Sequence, residues 1–194
     1  MARFLIMGPP GAGKGTHATK IAERFDIPAI STGAMFRAEI ASDSELGRHI
    51  NDLVTSGALV PDELTNEVLA SRLSQPDAAV GWLLDGYPRT LDQVDTLDQI
   101  LAGQGAKIDA VLMLDVPSAE VIRRLTKRAD IEGRADDTPE IITHRQEVYV
   151  QQTAPVVDVY EQRGLVVHID ASGSIEESDE NVMRALDQFD QASA

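Results

Sequence analysis

Short runs of apolar residues recur along the chain, and glycine, proline, aspartate or serine residues bound each run. The runs are continuous rather than alternating, which is typical of parallel strands that are buried on both faces. Longer segments with helical spacing lie between them and can serve as crossover helices. The predicted strands are residues 4–7, 27–30, 82–84, 110–114 and 165–169. This pattern predicts an α/β fold with a doubly wound, five-stranded parallel sheet and helices on both faces.

Three of the intervening segments carry helix signals. Residues 14–25 place apolar side chains three or four positions apart, which gives a helix one apolar face. Pro61 is followed by two acidic residues, a combination that suits the first turn of a helix. A third helix is predicted over residues 138–163, although Pro155 should kink it or split it.

Two intervals interrupt the alternation of strands and helices. Residues 31–60 contain two helical stretches and no predicted strand, and residues 127–137 are charged and almost free of large apolar side chains. We interpret the first interval as a helical insertion and the second as a short mobile loop. Both are attached to one core domain, which comprises residues 1–30, 61–126 and 138–194.

Composition narrows the possible functions. The chain has 194 residues, a formal net charge of -15 and no cysteine, which excludes disulfide scaffolds, cysteine-ligated zinc and iron–sulfur clusters. An acidic chain with 4% aromatic residues is a poor candidate for binding nucleic acid. No apolar run reaches the length of a membrane span or a signal-peptide core, so we expect no membrane partner and a cytoplasmic location.

The strongest chemical signal is a glycine-rich segment between the first predicted strand and the first predicted helix. Residues 8–16 read GPPGAGKGT. Small residues let successive backbone N–H groups point at a phosphate, and Lys14 adds a cation for the β- and γ-phosphates. The usual pattern places Ser or Thr directly after the lysine, whereas here Gly15 intervenes and Thr16 supplies the hydroxyl. The context predicts a phosphate-binding P-loop, and a glycine-rich turn without a ligand is the alternative.

This form of the P-loop resembles that of the nucleoside monophosphate kinases, and that of the adenylate kinases most closely. The segments STGAMFR at 31–37 and GALVPD at 57–62 resemble the family's two acceptor-nucleotide segments. The segment DGYPRT at 85–90 resembles its signature after a central strand, and GRADD at 133–137, with Arg145, resembles its lid and hinge. The resemblance covers nearly the whole chain and follows the family's order of motifs. It implies that the helical insertion binds the nucleoside monophosphate and that residues 127–137 form a short lid.

The resemblance also implies which residues bind each nucleotide. The implied ATP-binding residues are Gly11, Ala12, Gly13, Lys14, Gly15, Thr16, Arg128 and Gly173. The implied AMP-binding residues are Thr32, Arg37, Ala58, Leu59, Val60, Gly86, Tyr87, Pro88, Arg89, Gln93, Arg134 and Arg145. The cations assigned to the transfer step are Lys14, Arg89, Arg124, Arg128, Arg134 and Arg145.

Phosphoryl transfer explains why cations are concentrated in these motifs. ATP and AMP are polyanions that repel each other, and guanidinium groups that bind phosphate oxygens in bidentate fashion offset this repulsion. The acceptor is a phosphate oxygen that is already largely ionised near neutral pH, so no catalytic base is needed. For any single arginine, a solvated surface charge is the alternative, and we prefer that interpretation for Arg123 and Lys127.

The spacing around Arg124 and Arg128 indicates which way they point. Residues four positions apart share one face of a helix. Both arginines could therefore reach the cleft while Ile122 and Leu125 face the core.

Asp85 is the candidate magnesium ligand. It ends a predicted strand at the carboxyl edge of the sheet, where it could hold Mg²⁺ through water; a strand-end turn ahead of Gly86 is the alternative. In the family that this chain resembles, many bacterial members have a long lid that carries metal-binding cysteines. This chain has no cysteine, so we expect no structural zinc. The resemblance implies ATP, AMP and ADP as small-molecule substrates, and we expect a monomer.

Two residues favour AMP as the acceptor. In the family, threonine at the position of Thr32 goes with adenine, whereas pyrimidine nucleotide kinases tend to have alanine. Gln93 matches the residue whose amide pairs with the adenine edge. The expected function is reversible, Mg²⁺-dependent transfer of the terminal phosphoryl group of ATP to AMP, which gives two ADP. A UMP or CMP kinase and a noncatalytic P-loop nucleotide-binding module are the alternatives.

Overall fold

The sheet has five parallel strands, as the sequence predicts. The computed structural model describes the backbone of residues 2–132 and 138–193 and the side chains of residues 2–129 and 138–189. Its strands are β1 (Ala2–Met7), β2 (Ala29–Ser31), β3 (Gly81–Asp85), β4 (Ala110–Asp115) and β5 (Val166–Asp170). They pair in the order β2-β3-β1-β4-β5, and each neighbouring pair is parallel. The carboxyl ends of the strands therefore meet at one edge, where ligands usually bind in such sheets.

Helices connect the strands and cover both faces of the sheet. They are α1 (Lys14–Phe25), α2 (Thr32–Ala41), α3 (Glu45–Ser56), α4 (Asp62–Leu73), α5 (Leu91–Gly103), α6 (Ser118–Glu132), α7 (Pro139–Val148), α8 (Ala154–Gln162) and α9 (Ile175–Ser193). A 3₁₀ turn at Pro76–Val80 precedes β3, and a π-helical turn at Tyr149–Thr153 separates α7 from α8. In the part of the chain that the structure describes, no helix combines the length and the apolar composition needed to cross a membrane.

Two hydrophobic cores lie on opposite faces of the sheet. Along the central strand β1, Phe4 and Ile6 point into one core, and Leu5 and Met7 point into the other. This alternation is the period of two that a strand imposes. Helices α1 and α9 cover the first core, and α4, α5 and α8 cover the second. Residues 4–7 of β1 are buried on both faces, and this part of the strand is continuously apolar.

Pro155 splits the long helix that the sequence predicts. Helix α7 ends at Val148, the chain widens into the π-helical turn, and α8 begins with Pro155 in its first turn. Proline has no N–H to donate, and its ring presses on the carbonyl four residues earlier, so regular α-helical bonding cannot pass through it. The turn carries Thr153, whose hydroxyl donates to the Arg89 carbonyl oxygen over 3.0 Å.

Residues 31–60 form a helical arm with a small core of its own. The two predicted helical stretches are α2 and α3. Phe36, Ile50 and Val60 are buried in a cluster that is distinct from the two sheet cores. Leu64 and Val68 of α4 pack against this cluster, so the arm rests on α4.

Helix α6 differs from the prediction in two ways. It continues to Glu132, so the segment predicted to be a loop from Lys127 begins as helix, and residues 133–137 lie outside the described residues. The prediction that Ile122 faces the core is wrong, because Ile122 is 50% exposed and Val121 packs with Leu125 instead. Val121 and Leu125 are four residues apart and share a face, whereas Ile122 is rotated from Val121 by about 100°.

His168 on β5 joins two carboxylates at the edge of the sheet. Its Nδ1 lies 2.9 Å from Asp115 Oδ2, and its Nε2 lies 3.1 Å from Glu161 Oε1. The hydrogen bond with Asp115 raises the pKa of His168, partial burial opposes this, and Glu161 raises it further. A raised folded-state pKa means that the ion pairs stabilise the fold below the unfolded-state pKa of about 6.5. That contribution is lost as the pH rises through the folded-state value.

We therefore expect His168→Gln to lower the free energy of unfolding more at about pH 5.5 than at about pH 9, as measured by urea denaturation. The pair is half exposed, so the difference should stay below about 1 kcal/mol. Arg163→Gln is the matched control, because it breaks an ion pair with Asp98 whose arginine stays protonated at both pH values. A loss for His168→Gln that is equal at the two pH values would contradict the expectation.

Candidate active site

The P-loop, residues 8–16, joins β1 to α1 at the carboxyl edge of the sheet. Gly11 and Gly13 have φ angles of 89° and 93°, in the left-handed region that favours glycine. A Cβ atom at Gly11 would lie 2.8 Å from Leu125 Cγ, so α6 leaves no room for a side chain there. Gly13 forms the N-cap of α1 and directs the N-terminus of that helix at the loop. Backbone N–H groups and the helix dipole at this point favour a phosphate.

Lys14 lies in the first turn of α1, inside the loop. Its Nζ donates to the carbonyl oxygens of Gly8 and Pro9 over 2.8 and 3.0 Å. Burial lowers the pKa of Lys14 to about 8, Asp85 partly opposes the shift, and the neighbouring arginines lower the pKa further. The surrounding cations therefore disfavour the charged form of Lys14, and a bound polyanion would restore it.

The P-loop forms one wall of a cleft of about 930 Å³, and the arm forms the opposite wall. The basic residues that line the cleft are Lys14, Arg37, Arg89, Arg123, Arg124, Lys127, Arg128 and Arg145. The acidic residues that line it are Asp85, Glu120 and Glu176. Although the chain carries a formal net charge of -15, this cleft is dominated by positive side chains. Such a site is suited to polyanionic ligands.

Arg89 lies at the centre of the positive side chains. Its Nε donates to the Gly86 carbonyl oxygen over 2.9 Å. Burial lowers the pKa of Arg89, Asp85 opposes the shift, and Arg145 and Arg37 lower the pKa further. These mutual effects indicate that guanidinium groups from the segment after β3, from α7 and from α2 converge on one region.

Thr32 joins the arm to the segment after β3. Its side chain is buried at the start of α2, and its hydroxyl donates to the Gly86 carbonyl oxygen over 2.9 Å. Gly86 therefore accepts hydrogen bonds from both Thr32 and Arg89. This contact fixes the base of the arm against the end of a central strand.

The amide of Gln93 is held at both ends. Its Oε1 accepts from the Arg89 backbone N–H over 2.7 Å, and its Nε2 donates to Asp62 Oδ1 over 2.6 Å. The second oxygen of Asp62 accepts from the Thr90 hydroxyl over 2.7 Å. Gln93 is 2% exposed yet lies among the residues that line the cleft.

Arg124 holds the loop between β5 and α9. Its Nη2 donates to the carbonyl oxygens of Ala171 and Gly173 over 2.8 Å each. Its Nε donates to Glu120 Oε1 over 2.7 Å, one helical turn earlier. The hydrogen bonds from Arg123 and Arg124 lower the pKa of Glu120 to about 2. Arg124 therefore positions the Gly173 loop beside the P-loop.

His17 connects α1 to α9 behind the P-loop. Its side chain is buried, and its Nδ1 lies 2.7 Å from Asp179 Oδ1. Lys20 also donates to the Asp179 carboxylate, so this acid pairs with two basic side chains of α1. The contact holds the first turns of α1 in place relative to the helix that follows the Gly173 loop.

Asp85 is a carboxylate at the carboxyl end of β3. Its Oδ2 accepts from the Ser31 hydroxyl over 3.3 Å and lies close to the backbone of Gly15. Among the residues that the structure describes, no group of three or more His, Cys, Asp or Glu side chains is arranged to hold a metal ion. A lone carboxylate does fit Mg²⁺, which usually binds one or two protein carboxylates together with substrate phosphates and water.

The tip of the arm lies against α7. Gly57 ends α3 with a φ of 81°, and a Cβ atom there would lie 3.1 Å from His144 Cδ2 and 3.2 Å from Ile141 Cγ2. The same position is close to Arg145, whose guanidinium lines the cleft. The absence of a side chain at Gly57 therefore allows the arm and α7 to approach each other closely.

The cleft brings together nearly all of the residues that the sequence singles out. The site residues that line it are Gly11, Gly13, Lys14, Gly15, Thr16, Thr32, Arg37, Ala58, Leu59, Val60, Asp85, Gly86, Tyr87, Pro88, Arg89, Gln93, Arg124, Arg128, Arg145 and Gly173. Ala12 differs, because its side chain is fully buried in the core beneath the loop. Arg134 lies outside the described residues.

Comparison with known proteins assigns this arrangement to a family. The family model for adenylate kinase matches residues 6–165. The chain is 53% identical to the adenylate kinase of Kocuria rhizophila over 188 residues, which is 97% of this chain and all of that protein. The chain belongs to the adenylate kinase family. It is also 52% identical to the Clavibacter michiganensis adenylate kinase, over 96% of this chain and 93% of that protein. The Thermobifida fusca adenylate kinase is 51% identical, over 95% of this chain and 97% of that protein.

Membership of the family establishes the class of activity. This adenylate kinase is an enzyme and a phosphotransferase that uses nucleotide substrates. None of the comparisons favours a pyrimidine nucleotide kinase or a noncatalytic nucleotide-binding module. The predicted family and its P-loop α/β fold are confirmed.

Several residues that shape the site of this adenylate kinase are not among the predicted ones. Asp62 lies within a segment that the sequence marks, but nothing in the sequence shows that it binds Gln93. Glu120 could have been found from its spacing of four residues to Arg124. Gln146 donates from Nε2 to the Pro10 carbonyl oxygen over 3.2 Å, and the two residues are 136 positions apart. No local pattern could indicate that contact.

Proposed function

We propose that the cleft transfers the terminal phosphoryl group of ATP reversibly to AMP and gives two ADP. The observation that carries the proposal is the convergence of Lys14, Arg89, Arg128 and Arg145 between the P-loop and the arm. Two nucleotides placed end to end would bring their phosphates to this point. The positive side chains would offset the repulsion between them, and positioning with charge stabilisation is what phosphoryl transfer requires.

The donor is assigned to the P-loop side of the cleft. The backbone N–H groups of residues 11–16 and the Lys14 ammonium would bind the phosphates of ATP. The Gly173 loop, which Arg124 positions, would pack against the donor base. Arg128 would contact the donor phosphates. Ala12 would contribute through its backbone only, because its side chain is buried.

The acceptor is assigned to the space between the arm and the segment after β3. The side chains proposed to contact the AMP phosphate and the transferred group are Arg37, Arg89, Arg134 and Arg145. Thr32, Gly86 to Pro88, and the backbone of Ala58 to Val60 would line the nucleoside, and the Gln93 amide would pair with adenine. The phosphate of AMP is largely ionised above its second pKa of about 6, so the attacking oxygen needs no base.

Asp85 and Thr16 are the residues proposed to hold Mg²⁺ that arrives with ATP, with Asp85 acting through water. When bound, the ion would neutralise charge on the donor phosphates. The Ser31 hydroxyl orients the Asp85 carboxylate, because it donates to Oδ2 from the start of the arm. No structural zinc is proposed, since the chain contains no cysteine.

The arm and residues 127–137 are proposed to move relative to the core of residues 1–30, 61–126 and 138–194. Phe36 and Ile50 pack in the arm's own hydrophobic cluster, whereas Met35 packs against a sheet core, so movement of the arm would keep the first contacts and change the second. Closure over both nucleotides would exclude water and so prevent loss of the phosphoryl group to hydrolysis. We propose a monomer that acts in the cytoplasm and binds neither nucleic acid nor membrane.

Because the pKa of Lys14 is about 8, ATP binding should be linked to proton uptake. Phosphates beside Lys14 raise its pKa, so the complex holds more protons than the free enzyme above about pH 8 and affinity falls as the pH rises. Calorimetry at about pH 8.5 in two buffers of different ionisation enthalpy should detect this uptake. In Lys14→Arg the cation stays protonated, and uptake should disappear. Equal uptake by both proteins would contradict the assignment.

The experiment that tests the proposed function measures ADP formation from ATP with AMP, UMP, CMP or no acceptor. AMP should give the fastest ADP formation, and the reaction without an acceptor should be slow. Faster turnover with UMP or CMP would overturn the choice of acceptor. ADP formation that does not depend on any monophosphate would indicate a hydrolase instead.

A further inference from the structure

Asp62 is the end of a short chain of hydrogen bonds that determines which way the Gln93 amide faces. Amide oxygen and nitrogen often exchange places at little cost, because the group is nearly symmetrical. Here each end has a partner that can play one role only. The Arg89 backbone N–H donates to Oε1 over 2.7 Å, and the Asp62 carboxylate accepts from Nε2 over 2.6 Å. If the amide were reversed, its NH₂ group would face the Arg89 backbone N–H, and its oxygen would face the Asp62 carboxylate.

The position of Asp62 is itself determined by the fold. It is the first residue of α4, where the helix dipole favours a carboxylate. Its Oδ2 accepts from the Thr90 hydroxyl over 2.7 Å, and the same hydroxyl accepts from the Gln93 backbone N–H over 3.2 Å. The Thr90 hydroxyl therefore caps α5 as an acceptor and orients Asp62 as a donor.

Each end of the Gln93 amide keeps one free position for a ligand. Nε2 has a second hydrogen to donate, and Oε1 has a second lone pair with which to accept. The side chain is 2% exposed and lines the cleft, so these positions are presented to the acceptor base with little freedom to rotate. Adenine offers an amino donor at N6 and an acceptor at N1, which match this order. A 6-oxopurine offers an acceptor at O6 and a donor at N1, which match only the reversed amide.

We propose that Asp62 is a positioning residue that makes the acceptor site prefer adenine over a 6-oxopurine by preventing reversal of the Gln93 amide. The inference rests on the proposed function, in which Gln93 pairs with the acceptor base. Asp62 itself does not contact the base in this account. When the Gln93 amide reverses to bind a 6-oxopurine, its contacts with Asp62 and with the Arg89 N–H both become mismatched. Unpaired buried polar groups are costly, so the reversed state is disfavoured.

The test compares AMP with inosine monophosphate as acceptors, in steady-state assays at saturating ATP. In Asp62→Asn the new amide can face Gln93 with either its oxygen or its nitrogen, so reversal of Gln93 loses one of its two penalties. The ratio of kcat/KM for AMP to kcat/KM for inosine monophosphate should fall about fivefold or more, the effect of about one hydrogen bond. The KM for ATP should stay within about twofold, since the donor site is distant. Asp62→Ser, whose hydroxyl donates as well as accepts, is a second variant with the same expectation.

Asp109→Asn is the matched control. Asp109 Oδ2 accepts from the Arg3 backbone N–H over 2.8 Å at the opposite edge of the sheet, so this variant also removes the charge of a carboxylate that accepts a hydrogen bond. It should keep the wild-type ratio even if its melting temperature falls as much as that of Asp62→Asn. An equal change of ratio in both variants would overturn the proposal, because a general loss of rigidity would explain it.

Gln93→Leu distinguishes the role of Asp62 in orienting the amide from the role of Gln93 in contacting the base. If Gln93→Leu loses the preference for AMP and Asp62→Asn keeps it, Gln93 contacts the base but Asp62 does not set its direction, and the inference fails alone. If Gln93→Leu keeps the wild-type preference, Gln93 does not contact the base, and both its assigned role and the inference fail. If the wild type transfers no phosphoryl group to AMP, the proposed function fails and the inference falls with it.

Discussion

Arg89→Ala is expected to lower kcat about 100- to 1000-fold, the cost of removing a preorganised charged group from a site of charge development. The Arg89 guanidinium lies among other cations of the cleft, where Arg145 and Arg37 both lower its pKa. Burial and these cations therefore disfavour its charge, Asp85 partly offsets this, and a bound polyanion would offset it further. The backbone N–H of residue 89, which donates to Gln93 Oε1, is retained in the variant. The steady-state rate of ADP formation measures the effect.

The fold should survive this change. The variant loses the hydrogen bond from Arg89 Nε to the Gly86 carbonyl oxygen, and removal of a cation relieves repulsion within the cluster. We expect a loss of about 1 kcal/mol or less in the free energy of unfolding. Arg72→Ala is the matched control, because Arg72 pairs with Asp77 outside the cleft. A fall in activity that merely follows the fraction of unfolded protein would argue against a role for Arg89 in transfer.

Lys14→Met is expected to lower kcat by a similar factor of about 100 to 1000 and to leave the protein as stable as the wild type or more stable. Burial lowers the pKa of Lys14 to about 8, which means that the charged form is held against a desolvation penalty. Methionine fills much of the same space without that penalty. Thermal unfolding and the rate of ADP formation should therefore change in opposite directions, as is common where a site carries strain for function.

Lys107→Met provides the comparison for Lys14→Met. Lys107 is exposed before β4, remote from the P-loop, so its replacement should leave the rate unchanged. A Lys14→Met enzyme with full activity would show that the ammonium group does not participate. A Lys14→Met enzyme that is strongly destabilised would show that the hydrogen bonds to Gly8 and Pro9 outweigh the cost of burial.

Features that depend on neighbouring residues could be predicted from the sequence. The P-loop needs a strand, small residues, a lysine and a helix in succession, and all of these occur within residues 4–25. Continuous apolar runs mark strands that are buried on both faces, and all five were found this way. The division of the predicted long helix into α7 and α8 at Pro155 follows from the missing N–H of proline.

The two wrong predictions concern α6, where the composition of the segment and the periodicity of the helix indicate different structures. Apart from Ile131, residues 127–132 have no large apolar side chain, a pattern that predicts a loop, but lysine, arginine, alanine and glutamate are good helix formers and α6 continues through them. The helical spacing of Arg124 and Arg128 leaves Ile122 on the predicted core side, but Val121 is buried there and Ile122, about 100° further round the helix, is exposed. Here the periodicity of the helix decides burial, and composition alone misleads.

Contacts between distant segments could not be predicted from the chain. Gln93 is readily marked as a candidate, but its two partners belong to a different helix and to the loop before its own. Gln146 reaches the P-loop from a helix more than 100 residues later. Only the folded arrangement of α4, α5 and α7 brings these groups together.

Gly57, at the tip of the arm, affects the spacing of the groups that we propose for phosphoryl transfer. Gly57 lies against α7, which carries Arg145, so a side chain at position 57 would push the arm and Arg145 apart. Reactions of this kind require the attacking and leaving atoms to lie within a fraction of an ångström of their ideal separation, and an error of about 1 Å can cost about 100-fold in rate. Under the proposed function, Gly57 would therefore affect the rate through the spacing between the arm and Arg145.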